Sequence, residues 1–223
     1  MSTQAGEAIA GTALAALIAP ARTALVAIDV QNDFASPHGA LARAGMDMAP
    51  LAGAQRNLER LLPAARAAGA GVVLARVLTR ADTDGKALKR FYRLRGYPDE
   101  ALAICREGSA GADYYRIAAR PGDIQVEKRL YSCFHGTDLE MRLRARGIDT
   151  LVLCGFTSEC CVESTARSAF ERDFGVLVVA DASASHDPEL HRSALRSLSQ
   201  HCALLVETEA VLECWGMASP GTT

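Results

Sequence analysis

Six short, largely apolar runs are spaced along this chain at 24–29, 72–78, 124–128, 150–154, 175–181 and 203–206. Most of the segments between them carry apolar residues at helical spacing, as Leu58, Leu61, Leu62 and Ala65 do before Gly69. A strand that alternates polar and apolar residues has one wet face, whereas a continuous apolar run must be covered on both. Strands of that kind alternating with helices predict a three-layer α/β/α fold around a six-stranded, mostly parallel sheet. A length of 223 residues fits one such domain, read here as residues 23–217. Residues 1–22 read as a loose or weakly helical arm ended by Pro20, and 218–223 as a small polar tail.

The stretch 150–165 is the chemically dense one. An apolar strand ends at Gly155, and the turn that follows delivers Cys160 and Cys161 to a helix start. Thr157 or Ser158 is placed to cap that helix, and a thiol in its first turn is expected to have a lowered pKa, because unpaired N–H groups and the helix dipole favour a thiolate. Two buried cysteines packing as small hydrophobes fit this stretch equally well. Two further strands end in ionisable residues, the first at Asp29 and the third at Lys128. Taken singly, Asp29 reads as a turn cap and Lys128 as a surface residue. In an open parallel sheet, however, ligands bind beyond the carboxyl ends of the strands, where the strand order reverses. Asp29, Lys128 and Cys161 can therefore meet in one crevice, and a carboxylate, an ammonium and a thiol within reach of one another make an activated nucleophile.

Three segments carry a likeness to a known family: Ala24-Leu-Val-Ala-Ile-Asp-Val-Gln-Asn-Asp-Phe34, Lys128-Arg-Leu-Tyr-Ser-Cys-Phe134 and Gly155-Phe-Thr-Ser-Glu-Cys-Cys-Val-Glu-Ser-Thr165. They resemble the three signatures of the isochorismatase-like cysteine hydrolases, and the resemblance covers residues 22–215. It implies that Cys161, directly before Val162, is the nucleophile, that Asp29 is the general base, and that Lys128 stabilises and orients the charged pair. It also implies a cis peptide between Phe156 and Thr157, with the backbone N–H groups of Thr157 and Cys161 forming an oxyanion hole. The implied reaction is attack of the thiolate on a carbonyl carbon, expulsion of an amine or ammonia, and hydrolysis of the thioester.

Within that family a thiol at 161 speaks against the isochorismatases proper, whose vinyl-ether hydrolysis needs none. Nicotinamidases of the family hold a metal with histidines in the loop after the second strand; here residues 79–86 contain no histidine, so neither metal nor other cofactor is expected. The nearest likeness is to the ureidoacrylate and biuret amidohydrolase branch, which implies a small ureido or carbamoyl substrate. Phe34 and Tyr131 are then expected to wall the pocket. Gln200, ahead of the last strand, is expected to pair with the substrate's amide edge, although an exposed helix-terminal residue is the plainer reading. Isochorismatase-type hydrolysis and maleamate- or nicotinamide-like amidase activity stand as alternatives, and a thiol redox sensor using Cys160 and Cys161, or an inactive binding protein, as other classes.

A formal net charge of −2 gives no electrostatic case for nucleic acid or an anionic membrane. The first 21 residues hold no Lys or Arg, unlike a secretory signal, and no apolar run reaches the length of a membrane span. Seven cysteines, an odd number, argue for reduced thiols and a cytoplasmic protein. Between 79 and 122 the pattern loosens, with basic residues interleaved with Phe91, Tyr92 and Tyr97. A connection of that length is expected to act as a lid, a binding loop or a contact in a homodimer or homotetramer.

Overall fold

The structure, a computed structural model, describes residues 11–216. Its six strands are β1 (Thr23–Ile28), β2 (Gly71–Val77), β3 (Ile124–Lys128), β4 (Thr150–Phe156), β5 (Gly175–Ala184) and β6 (Leu204–Val206). They form one sheet in the order β3-β2-β1-β4-β5-β6, every neighbouring pair parallel. From β1 the chain winds outward to β3, then returns across β1 to start β4, so the order reverses between β1 and β4. Both of these central strands are buried along their whole length.

The described helices are α1 (Gly11–Leu17), α2 (Asn32–Ala35), α3 (Ala40–Arg43), α4 (Ala49–Ala68), α5 (Lys86–Leu94), α6 (Leu139–Arg144), α7 (Glu163–Phe170), α8 (Pro188–His201) and α9 (Thr208–Cys214). Successive strand residues point to opposite faces, and that alternation sorts the core. Leu25, Ala27, Leu74 and Val152 pack with α4, α1 and α9, whereas Ala24, Val26, Ile28 and Val73 pack with α6, α7 and α8. The unbroken apolar runs of the sequence are thus two half-patterns, one for each helical layer. No helix among the described residues is long and apolar enough to cross a membrane.

Three regions differ from the sequence reading. The described part of the N-terminal segment is docked rather than loose: Leu14 and Ile18 are buried, and Trp215 Nε1 donates to the Ile18 carbonyl at 3.1 Å. The remainder of that segment and the tail after 216 lie outside the described residues. The long connection after β2 contains α5 and short 3₁₀ turns, and it returns to the body through a bridge between Gln31 and Tyr114 and another between Thr79 and Arg106. Finally, a π-helical turn, Ser158–Val162, stands between β4 and α7.

Candidate active site

The residue after β1 is Asp29, and its backbone sits at φ +52°, the left-handed region that few non-glycine residues enter. Its N–H still donates to Ala75 O at 2.8 Å, so β1 holds its pairing with β2 to the last residue before the chain swings away. What allows β4 to crowd this point is Gly155, at φ +121°, where a Cβ would stand 2.1 Å from Ile28 O. A glycine is required there by space and by conformation alike.

The residues following Asp29 are brackets. Gln31 is fully buried; its amide donates to Val77 O and Ala112 O and accepts from Val77 N–H, each at 2.9 Å. Asn32 Nδ2 donates to Ala110 O at 2.7 Å. Asp33 accepts from Cys105 N–H at 2.7 Å and Ala40 N–H at 2.9 Å, and Gly111 packs on its carboxylate with no room for a Cβ. Together they tie residues 105–112 of the long connection to the end of β1. The sequence reading assigned these polar residues no part, since nothing in a local pattern reveals partners some eighty positions away.

Lys128 ends β3, two strands from β1, so its side chain and that of Asp29 must together bridge about 9.6 Å of sheet. They do: Lys128 Nζ donates to Asp29 Oδ2 at 2.7 Å, to Leu130 O at 2.9 Å and to Cys161 Sγ at 3.4 Å. Asp29 is 0%, Lys128 1% and Cys161 8% exposed, so the three groups meet away from bulk water. Asp29 Oδ1 has no hydrogen-bond partner among the described residues.

Burial dominates the electrostatics. It raises the Asp29 carboxyl above its ordinary range, with Lys128 and Cys161 opposing. Burial works against the Lys128 ammonium, but Asp29 and Cys161 outweigh it and Lys128 stays above the usual lysine value. The Cys161 thiol is held well above its ordinary value by hydrogen bonding with Cys160, by burial and by the Asp29 charge, Lys128 opposing. This corrects the expected lowering. The helix start acts on a thiol that is hydrogen-bonded with Cys160 and enclosed beside a carboxylate, and these together outweigh the dipole.

The turn itself also departs from expectation. The bond between Phe156 and Thr157 is cis, as anticipated. Neither Thr157 nor Ser158 caps a helix, however: Thr157 is extended and makes no side-chain cap, and the Ser158 hydroxyl meets His191 Nδ1 at 2.7 Å. The backbone is held by Thr157 O, which accepts from Cys160 N–H and Val162 N–H, both at 3.2 Å.

Phe34 is half-buried against Val77, Leu78, Cys105 and Ala112 at the rim of this region. Tyr131 is 43% exposed; burial raises its phenol, and the charges of Cys160, Tyr92 and Cys161 raise it further. Tyr92, half-buried on α5, is raised first by burial and then by Cys160, Tyr97 and Cys161. Gln200 is not brought to the site. It is exposed near the end of α8, whose beginning contacts the π-turn, and nine residues at 1.5 Å each put it about 13 Å farther along the helix than His191. Residues 79–86 carry Asp82 and Asp84, but Asp84 pairs with Arg106, and no group of three metal-ligating side chains gathers among the described residues.

This geometry has close parallels among known proteins. A family model described as the isochorismatase domain matches residues 23–210. The chain is 36% identical, over 216 aligned residues, to the ureidoacrylate amidohydrolase RutB of Methylobacterium radiotolerans, the match covering 90% of this chain and 82% of that protein. Among solved structures it superposes on a cysteine hydrolase from Pseudomonas syringae with a TM-score of 0.77 at 27% identity, covering 90% of this chain and 95% of the other. An N-carbamoylsarcosine amidase from Thermoplasma acidophilum superposes with a TM-score of 0.67 at 28% identity, over 84% and 97% of the two chains. With the sheet order, the cis bond and the enclosed Asp29, Lys128 and Cys161 in place, these matches show that the chain belongs to the isochorismatase family.

Proposed function

We propose that the protein is a cysteine-dependent amidohydrolase that cleaves a small ureido or carbamoyl compound such as biuret, triuret or ureidoacrylate. Family membership and the amidohydrolase relatives make it a hydrolase of carbon–nitrogen bonds other than peptide bonds. The finer reading rests on one observation above all: a single enclosed ammonium, Lys128 Nζ, donates to both a carboxylate and a thiol.

In this reading Asp29 takes the Cys161 proton, and Lys128 holds the resulting thiolate. A carboxylate raised by burial is a stronger base than a free one, and the thiol yields its proton as the carbonyl carbon arrives. The sulfur adds to that carbon, and the oxyanion is received by the N–H groups of Thr157 and Cys161. Collapse breaks the C–N bond, the leaving nitrogen takes the proton from Asp29, and a thioester remains. Asp29 then deprotonates a water that attacks the thioester, releasing the acid or carbamate and restoring the thiol. Tyr92 and Tyr131 form the polar walls that a planar ureide with N–H and C=O edges requires. All seven cysteines are free, which supports a reducing compartment such as the cytoplasm.

The deciding experiment is ammonia release from biuret, triuret, ureidoacrylate, carbamoyl amino acids and nicotinamide by the wild type and Cys161→Ser, with and without a chelator. Chelator-insensitive turnover of a ureide that vanishes in the variant supports the reading. A variant as active as wild type removes the nucleophile, and turnover of isochorismate with no amide cleaved removes the substrate class.

A further inference from the structure

The turn that carries Thr157 and Cys161 has no side-chain cap at its N-cap residue, Thr157, and the hydroxyl of the next residue, Ser158, is engaged elsewhere. Ser158 is fully buried, and its hydroxyl lies 2.7 Å from His191 Nδ1 on α8. That histidine is rigidly presented. Asp187 caps α8 through Oδ1, accepting from Glu189 N–H at 2.7 Å and Leu190 N–H at 3.3 Å; Pro188 starts the helix, and His191 N–H closes its first turn on Asp187 O at 3.0 Å. The fixed points thus run from the Asp187 cap through His191 and Ser158 into the backbone that presents the two amides.

Resting on the hydrolase reading above, we propose that His191 is a positioning residue: its neutral ring accepts the Ser158 hydroxyl hydrogen at Nδ1 and so fixes the amides of Thr157 and Cys161 where the oxyanion forms. Half-burial disfavours the charged imidazolium and lowers the His191 pKa, in keeping with a neutral acceptor, though Glu159 works in the opposite sense. A misplacement of about 1 Å in such a site costs on the order of 100-fold in rate. Neither side chain touches the reacting atoms, so the effect belongs in kcat rather than in KM.

The test uses p-nitrophenyl acetate, whose acetyl group passes to the Cys161 sulfur with release of p-nitrophenol and then to water. His191→Leu is expected to lower kcat about 10- to 100-fold with KM within about three-fold. Ser158→Ala should fall equally, the double variant no further, and His191→Asn should recover most of the loss, since its amide oxygen stands in for Nδ1. Should His191→Leu fail to fold, Ser158→Ala and His191→Asn carry the same test. An unchanged kcat, or a double variant whose losses add, overturns the proposal, whereas a Cys161→Ser variant that still turns the ester over overturns the hydrolase reading instead. Imidazole ¹⁵N shifts test the contact without turnover: a neutral His191 with its hydrogen on Nε2 at pH 7 is expected, and a ring protonated at Nδ1 refutes it.

Discussion

Gly155 and Ile28 share a close backbone approach that shapes the site: a Cβ on Gly155 would stand 2.1 Å from the Ile28 carbonyl oxygen and 2.7 Å from its nitrogen. Gly155→Ala therefore forces β4 away from β1 at the residue before Asp29, in a backbone conformation that also strains any L side chain. We expect a loss of about 3 kcal/mol or more, seen as a drop in the urea midpoint. At the roughly 2–4 °C per kcal/mol usual for a chain of this size, the melting temperature should fall by about 10 °C. A variant that unfolds with wild-type parameters would show that β4 yields freely.

Lys128→Met leaves the Asp29 carboxylate enclosed without its counter-charge. Removing one partner of a buried pair costs on the order of 3–5 kcal/mol. The Asp29 pKa is raised in the folded state, so folding favours its protonated form. That contribution is complete below the unfolded carboxylate pKa of about 4 and fades as pH climbs through the folded value. Loss of the ammonium lifts the folded value further. The stability gap between variant and wild type should accordingly be widest at pH 8 and narrow toward pH 5, measured by urea unfolding at each. A gap independent of pH excludes Asp29 as its origin.

Alkylation of Cys161 should be slow at neutral pH, because its hydrogen bond with Cys160, burial and the Asp29 charge hold its proton. In a Cys160→Ala background, which removes the Cys160 hydrogen bond and leaves burial and the Asp29 charge to hold the proton, the iodoacetamide rate at Cys161 is expected to keep rising past about pH 8.5, the midpoint of an ordinary thiol. A plateau reached below pH 7, followed by mass spectrometry of the modified peptide, would instead indicate a resting thiolate.

Tyr92 and Gln200 give opposite expectations. Tyr92→Ala should raise KM about ten-fold with kcat little changed, as the proposed role of its phenol as a wall outside the chemistry requires. Gln200→Ala should leave kcat/KM within about two-fold, as for an exposed surface residue. Steady-state kinetics on the ureide that releases ammonia settles both.

How much of this was written in the sequence follows from where each residue sits on its element. Asp29 and Lys128 were legible because each ends a strand run, and parallel strands carry their ends to one rim. Cys161 was legible because the chain punctuates β4 with Gly155 and then supplies two thiols. The sheet could be read as parallel because β1 and β4 are apolar on both faces. Gln200 was misplaced for a geometric reason: a crossover helix runs back against its strands, so the end of α8 nearest β6 in sequence lies on the rim away from Cys161. Tyr92 was seen only as one of several aromatics in a basic stretch, because α5 buries none of its residues; Leu88, Phe91 and Tyr92 do recur at helical spacing, but that pattern marks a helix face and not what the face meets. The Ser158–His191 contact joins residues thirty-three positions apart on two different elements, and no local pattern marks it.

The docking of Trp215 on Ile18 gives the molecule a built-in optical reporter. Trp215 is the chain's single tryptophan, and it follows α9, which runs back from the strand ends toward the rim where β1 begins. Its emission therefore reads the corner where α1 and α9 join, remote from the thiol. Release of that corner should shift the fluorescence to the red while ammonia production continues, so light and turnover followed together in one denaturant titration would separate fraying of the chain's ends from collapse of its chemistry.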